Sequence, residues 1–199
     1  MKIRTTITES RKSKLIDVAT KRQHSLHLVL ENIHDPHNVS AIFRTCDAVG
    51  IPNVSLVYNY EKFPKIGKKS SASAFKWVDK AKYKSVEECY EKLRLDGYKI
   101  YASTLADKSV NLFDLDFTGK IAVVMGNEHR GISEEAANLA DEVFFIPMFG
   151  MVQSLNVSVA AAITLYEAAR QRFLEGLYNK SELSEEELLT KINEWITKK

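Results

Sequence analysis

The 199-residue sequence has no apolar run near the roughly 20 residues that a membrane-spanning helix needs. Its start, Met1-Lys2-Ile3-Arg4-Thr5-Thr6, leads into no apolar signal region. Cysteine is scarce: Cys46 and Cys89 stand alone at neither zinc nor redox spacing, which excludes a disulfide framework. No G-x-G-x-x-G follows a candidate strand, so a Rossmann dinucleotide site is not expected. Gly126 and Gly131 have the outer spacing of a phosphate loop, but Ile132-Ser133 stands where Lys-[Ser/Thr] is required. The pairs His24/His27 and His34/His37 lack clear Cys, Asp or Glu co-ligands, and no metal site is expected. A Gly-x-Ser-x-Gly nucleophile elbow is missing, as are internal repeats and low-complexity segments. The expectation is a cytoplasmic protein without membrane or metal.

What is present is ordinary in amount and uneven in distribution. Hydrophobic residues make up 45% and charged residues 27%, a globular composition, and the length allows one substantial domain. Net charge is only +2, yet residues 1–22 hold seven Lys/Arg against two Asp/Glu, and residues 61–84 hold eight against two. Residues 85–169 reverse the balance, six against thirteen. Each basic run alone reads as a solvated face. Two of them flanking a mixed core point to a polyanion partner, because phosphate neutralisation drives such binding.

Periodicity predicts alternating elements. Strands are expected at Leu26 to Leu30, Val54 to Tyr58, Lys99 to Ser103, Ile121 to Met125 and Val143 to Ile146. Helices are expected at 10–22, from Asn38 to Val49, from Ser85 to Asp96, after Ser133, from about Ser154 to Leu177, and after Ser184. The lysine-rich stretch from Glu61 into Ser70-Ser71-Ala72-Ser73 reads as a long exposed loop. The alternation predicts an α/β fold, a parallel sheet with helices on both faces and short helical extensions at both termini. The expected boundaries are 1–22 for a basic N-terminal extension, 23–177 for the central domain and 178–199 for a C-terminal extension.

Ligands of open parallel sheets bind beyond the carboxyl ends of the strands. Three turns there are densely polar: 34–45, 125–133 and 146–158. In the third, Ser154 reads as a helix cap, but Asn156 and Ser158 exceed what capping needs. The following Ala160-Ala161-Ala162 implies close helix packing, in the core or at an interface.

At these residues a resemblance appears. Asn38-Val39-Ser40-Ala41-Ile42-Phe43-Arg44-Thr45 looks like motif 1 of the SpoU/TrmH class of SPOUT methyltransferases. Met125-Gly126-Asn127-Glu128 with Gly131-Ile132 is similar to motif 2, and Ile146-Pro147-Met148 through Ser154-Leu155-Asn156-Val157-Ser158 resembles motif 3. Three motifs in order and spacing are far more specific than one. The resemblance covers about residues 10–175 and lies nearest the TrmH branch, which methylates the ribose of tRNA guanosine-18.

The resemblance implies a C-terminal deep trefoil knot, S-adenosyl-L-methionine as donor, a homodimer with the active site across its interface, and tRNA as substrate. Donor-binding residues would fall on Ser103, Gly126, Ile146 and Leu155, with Gly126 permitting close backbone approach to the ligand. The catalytic set would be Arg44, Asn38, Glu128, Ser154 and Asn156. Arg44 would manage the 2′-hydroxyl by binding phosphate and stabilising the developing alkoxide, since a guanidinium is not deprotonated. Asn38 and Glu128 would orient Arg44 or the ribose, and Ser154 and Asn156 would shape the motif 3 loop. The basic segments, Lys76-Trp77, Arg170 and Arg172 would contact the tRNA backbone. The motifs leave open another RNA target, whereas intact Arg44, Glu128, Ser154 and Asn156 argue against a silent RNA-binding protein on the same fold, and the Asn38/Arg44 pairing argues against a base methyltransferase of the TrmD type.

Overall fold

A computed structural model describes residues 7–65 and 74–198. Seven strands form one sheet: β1 (Leu26–Glu31), β2 (Asn53–Val57), β3 (Asp79–Tyr83), β4 (Lys99–Ser103), β5 (Val110–Asn111), β6 (Ile121–Met125) and β7 (Glu142–Phe145). All neighbours pair parallel, in the order β3-β2-β1-β6-β4-β7-β5. β1 and β6 are buried along their whole length and lie side by side at the centre, where the unbroken apolar run of β6 belongs.

The helices are α1 (Glu9–Thr20), α2 (Pro36–Val49), α3 (Ala74–Trp77), α4 (Val86–Leu95), α5 (Glu134–Leu139), α6 (Val157–Leu174) and α7 (Glu185–Thr197). Alternate strand positions face opposite sides. Leu28, Leu30, Leu56 and Val123 meet Ile42 and Phe43 of α2 and Leu165 of α6. Val29, Val57 and Val124 meet Tyr90 and Leu93 of α4 and Ala136 of α5. Ala161 is fully buried in the first of these cores.

Helix α2 begins earlier than the expected Asn38. Asp35 is its N-cap, accepting from the His37 amide, and Pro36 occupies the first turn, where a missing N–H costs nothing. Helix α6 begins later than expected. Its cap is Asn156, whose Oδ1 accepts the Ser158 amide at 2.9 Å, so Ser154 lies outside the helix.

Helix α3 and strand β3 follow the expected loop, in a stretch where patterning predicted no element. β3 is an edge strand paired only to β2, with Lys80 and Lys82 exposed on it, and charged edges of this kind escape hydrophobic patterning. β5 spans two residues, too few for any period to register. The expected loop at 66–73, including Lys68, Lys69 and Ser70-Ser71-Ala72-Ser73, lies outside the described residues.

Helices α1 and α7 pack on each other through Leu15, Ala19, Ile192 and Trp195, with Trp77 of α3 against them. Three residues expected at an RNA-facing surface make internal contacts instead: Trp77 and Arg22 at this helix pair, and Arg172 at the segments entering β1 and β6. Trp77 stacks edge-on against Trp195 at 5.3 Å. Arg22 is 2% exposed, bonded to the Asp47 carboxylate, the Ile51 and Trp77 carbonyls, and lying over Trp195. Arg172 is fully buried and donates to the Phe117, Gly119 and Ser25 carbonyls, the Ser25 hydroxyl and Gln23 Oε1. Its helix neighbour Arg170 is exposed and pairs with Glu167 at 2.8 Å.

Candidate active site at the carboxyl ends of the strands

Motif 1 opens α2 after β1, motif 2 follows β6, and motif 3 joins β7 to α6. Their polar side chains meet. Glu128 accepts from the amides of His34 at 3.0 Å and Asp35 at 3.1 Å, and from Asn38 Nδ2 at 2.9 Å. Asn38 Oδ1 in turn accepts from Asn156 Nδ2 at 3.1 Å. The carboxylate can only accept, so it fixes which way the Asn38 amide points, and Asn38 fixes Asn156. One hydrogen-bonded chain therefore joins all three motifs.

Burial pushes the Glu128 carboxyl up, but the bonds from Asn38, His34 and Asp35 outweigh it, and the pKa lies below the ordinary glutamate value. Glu128 is thus held as an anion. Within the chain the bonds of Asn38 and Glu128 go to each other, to the α2 start and to Asn156. Arg44 projects from the exposed side of α2 with His37, Ala41 and Ala48, and has no hydrogen bond or ion pair among the described residues. Ser154 is likewise exposed, in the extended stretch before the α6 cap.

Ser103 ends β4, Gly126 follows β6 and Ile146 follows β7, and β4 lies between the other two in the sheet. By the pairings Ala102 to Val124 and Ser103 to Phe144, Gly126 lies one residue and Ile146 two residues beyond the level of Ser103, on strands about 4.8 Å apart. Leu155 is half-buried beside the Asn156 cap. Gly126 has a reason within its own loop. A side chain there would collide with the backbone of Gly131 and Ile132, because Asn127 and Gly131 exchange both backbone hydrogen bonds at 2.9 Å. Glycine is required by the turn itself, ahead of any ligand.

The histidine pairs do not form a metal centre. His27 bonds Ser55 at 2.8 Å, and burial lowers its pKa to about 4. Among the described residues no group of three His, Cys, Asp or Glu is placed to hold a metal ion, and no helix is long and apolar enough to cross a membrane.

Sequence reasoning missed a second layer: Asn32, Asn127, Glu61 and Arg130. Asn127 was in view inside motif 2, whereas Asn32 and Glu61 flank turns that carry no pattern of their own. Asn127 Oδ1 accepts the amides of His129 and Arg130 and holds the motif 2 turn closed.

Comparison with known proteins agrees with this arrangement. The family model of the SpoU rRNA methylase family matches residues 25–166. The tRNA (guanosine(18)-2′-O)-methyltransferase of Thermus thermophilus is 42% identical over 96% of this chain and 98% of its own. The crystal structure of the A. aeolicus TrmH/SpoU tRNA modifying enzyme superposes with a TM-score of 0.88 at 40% identity, covering 94% of this chain and 95% of its own. The SpoU methyltransferase AviRb from Streptomyces viridochromogenes, solved in complex with the cofactor AdoMet, matches with a TM-score of 0.67 at 26% identity, covering 78% and 62%.

Proposed function

The chain belongs to the SpoU rRNA methylase family, and from that premise we propose that it methylates a ribose 2′-hydroxyl of tRNA, guanosine-18 in the D-loop, from S-adenosyl-L-methionine. The observation that carries this reading is the Glu128–Asn38–Asn156 chain, which ties the three motifs into one site. The relatives' tRNA substrate and their near-full-length match support the choice of tRNA over ribosomal RNA.

The neighbouring strand ends at Ser103, Gly126 and Ile146, with the half-buried Leu155 of the motif 3 loop, fit a donor held by loop backbone and apolar side chains. When bound, the donor supplies a sulfonium methyl already activated for in-line displacement. The chain's task is then alignment and care of the 2′-hydroxyl proton. Arg44 performs it as an unpaired cation that binds the adjacent phosphate and stabilises the developing alkoxide. Asn38, Glu128 and Asn156 hold motifs 1 and 3 together, and Ser154 shapes the loop that faces them.

The same reading extends to topology and assembly. In chain order β6 returns from the outer strand β5 to lie between β1 and β4, and β7 then enters between β4 and β5. This re-entry is what a C-terminal trefoil knot requires. Val159, Tyr166 and Phe173 recur every seven residues along one exposed face of α6, and Phe149 and Met151 are almost fully exposed in the motif 3 loop. A homodimer covers this apolar surface and completes the site around Arg44. Residues 23–177 act as the methyltransferase domain, and α1 and α7, from the extensions 1–22 and 178–199, form one helical layer. Exposed Arg11, Lys12, Lys14, Lys76, Lys80 and Lys82 contact the tRNA backbone, in the cytoplasm where tRNA is handled.

A transcript carrying 2′-deoxyguanosine at position 18 tests the assignment. Transfer falls to background if that hydroxyl is the acceptor; transfer at the unmodified rate overturns it.

A further inference from the structure

Asn32 follows β1 directly and is the only non-glycine residue with positive φ among the described residues, at 51°. That left-handed conformation is strained for most side chains and tolerated best by asparagine and aspartate. It is also 6% exposed, and its polar atoms are fully engaged. Its carbonyl accepts from Asn127 Nδ2 at 2.7 Å. Its Oδ1 gathers three successive amides, Asn59 at 3.2 Å, Tyr60 at 3.2 Å and Glu61 at 3.1 Å. Its Nδ2 donates to Asn59 Oδ1 at 2.7 Å.

These bonds belong to a closed ring. From Asn32 the path runs to Asn127, whose Oδ1 accepts the Arg130 amide at 3.2 Å. The Arg130 guanidinium reaches Glu61 at 2.9 Å, and the Glu61 amide returns to Asn32. Glu128 sits inside the span that the ring closes, between Asn127 and Arg130. Glu61 also contacts His34 Nδ1 at 3.3 Å, and the His34 amide is one of the donors to Glu128. The ring therefore grips both sides of the Glu128 contact, the turn that carries it and the residue that faces it.

We propose that Asn32 is a positioning residue for methyl transfer, acting through the ring of Asn127, Arg130 and Glu61 to set Glu128 against motif 1. The proposal rests on the reading of Glu128, Asn38 and Asn156 as part of the reaction site. Asn32 touches no reacting atom. It joins the carboxyl ends of β1, β2 and β6, so that the turn after β6 cannot move relative to the α2 start.

Two variants test this. Asn32→Gly keeps the left-handed backbone, which glycine adopts freely, and removes every side-chain bond. Arg130→Ala opens the ring at its outer link, where the side chain is 68% exposed and unfolding is not a concern. Each lowers kcat about 10–100-fold, the scale of a small misplacement of reacting groups, while KM for tRNA stays within threefold. Because both act through one ring, the double variant is no worse than the poorer single variant. A second readout needs no substrate: in each variant the Glu128 carboxyl, followed by 13C NMR, titrates closer to its ordinary value than in the wild type. Unchanged kcat, additive losses in the double variant, or an unmoved Glu128 titration overturns the proposal. Lack of turnover in the wild type counts against the tRNA assignment instead, and the titration then decides the ring alone.

Discussion

Arg44 and Glu128 separate what a charge does when it is held from what it does when it is free. Glu128 accepts three hydrogen bonds inside the chain, whereas Arg44 makes none among the described residues. Arg44→Ala therefore leaves the chain's unfolding free energy within about 0.5 kcal/mol of wild type. Removing a cation aimed at developing charge, by contrast, lowers kcat about 100-fold or more. Urea unfolding and single-turnover transfer read the two quantities separately. For Glu128 the sign follows from its lowered pKa: the anion contributes stability that is present above the ordinary glutamate value and is lost as pH falls below that value through the lowered one. The stability gap between wild type and Glu128→Gln is expected at pH 7 and closes in acid, as urea midpoints across pH will record. Asn38, Glu128 and Asn156 were legible because their motifs are spelled in sequence. Asn32 and Glu61 were not, because a left-handed turn and its three amide donors leave no periodic trace.

Among the elements, the strands of the sheet centre were the most legible, since β6 is a continuous apolar run, β1 is largely apolar, and both are buried throughout. The edge strand β3 alternates lysines outward and reads as loop, and caps shift helix starts by two or three residues. Arg172 is the sharpest case of a residue type misread by its element. A charged side chain on a long helix is expected at the surface, yet this one fastens the last turn of α6 to the segments entering β1 and β6. Its fork satisfies several carbonyls that no apolar replacement reaches. Arg172→Met is expected to cost about 3 kcal/mol or more in unfolding free energy, through carbonyls left without partners. An unchanged urea midpoint contradicts this bonding pattern.

At the scale of the whole molecule, the exposed apolar surface on α6 and the motif 3 loop has to be accounted for. Phe149 is 97% and Met151 99% exposed, and Tyr166 and Phe173 lie 57% and 71% open on one helix face. The proposed homodimer predicts that Tyr166→Asp, by placing a charge in a desolvated contact, shifts the protein to monomer in sedimentation velocity. A variant that sediments as the wild type does removes α6 from the interface. Parallel order and two-sided packing were readable from alternation alone. The insertion of β7 between β4 and β5 was not, because local patterning does not encode which strand a chain returns to.

Methyl transfer to one ribose of tRNA is the central claim, and one measurement meets it directly. Purified protein is incubated with labelled S-adenosyl-L-methionine and unmodified tRNA transcripts, and the modified nucleotide is mapped by nuclease digestion and mass spectrometry. A single 2′-O-methylguanosine is expected, in the D-loop at position 18. A methyl group on a base, or a label confined to ribosomal RNA when both RNAs are offered, would contradict it.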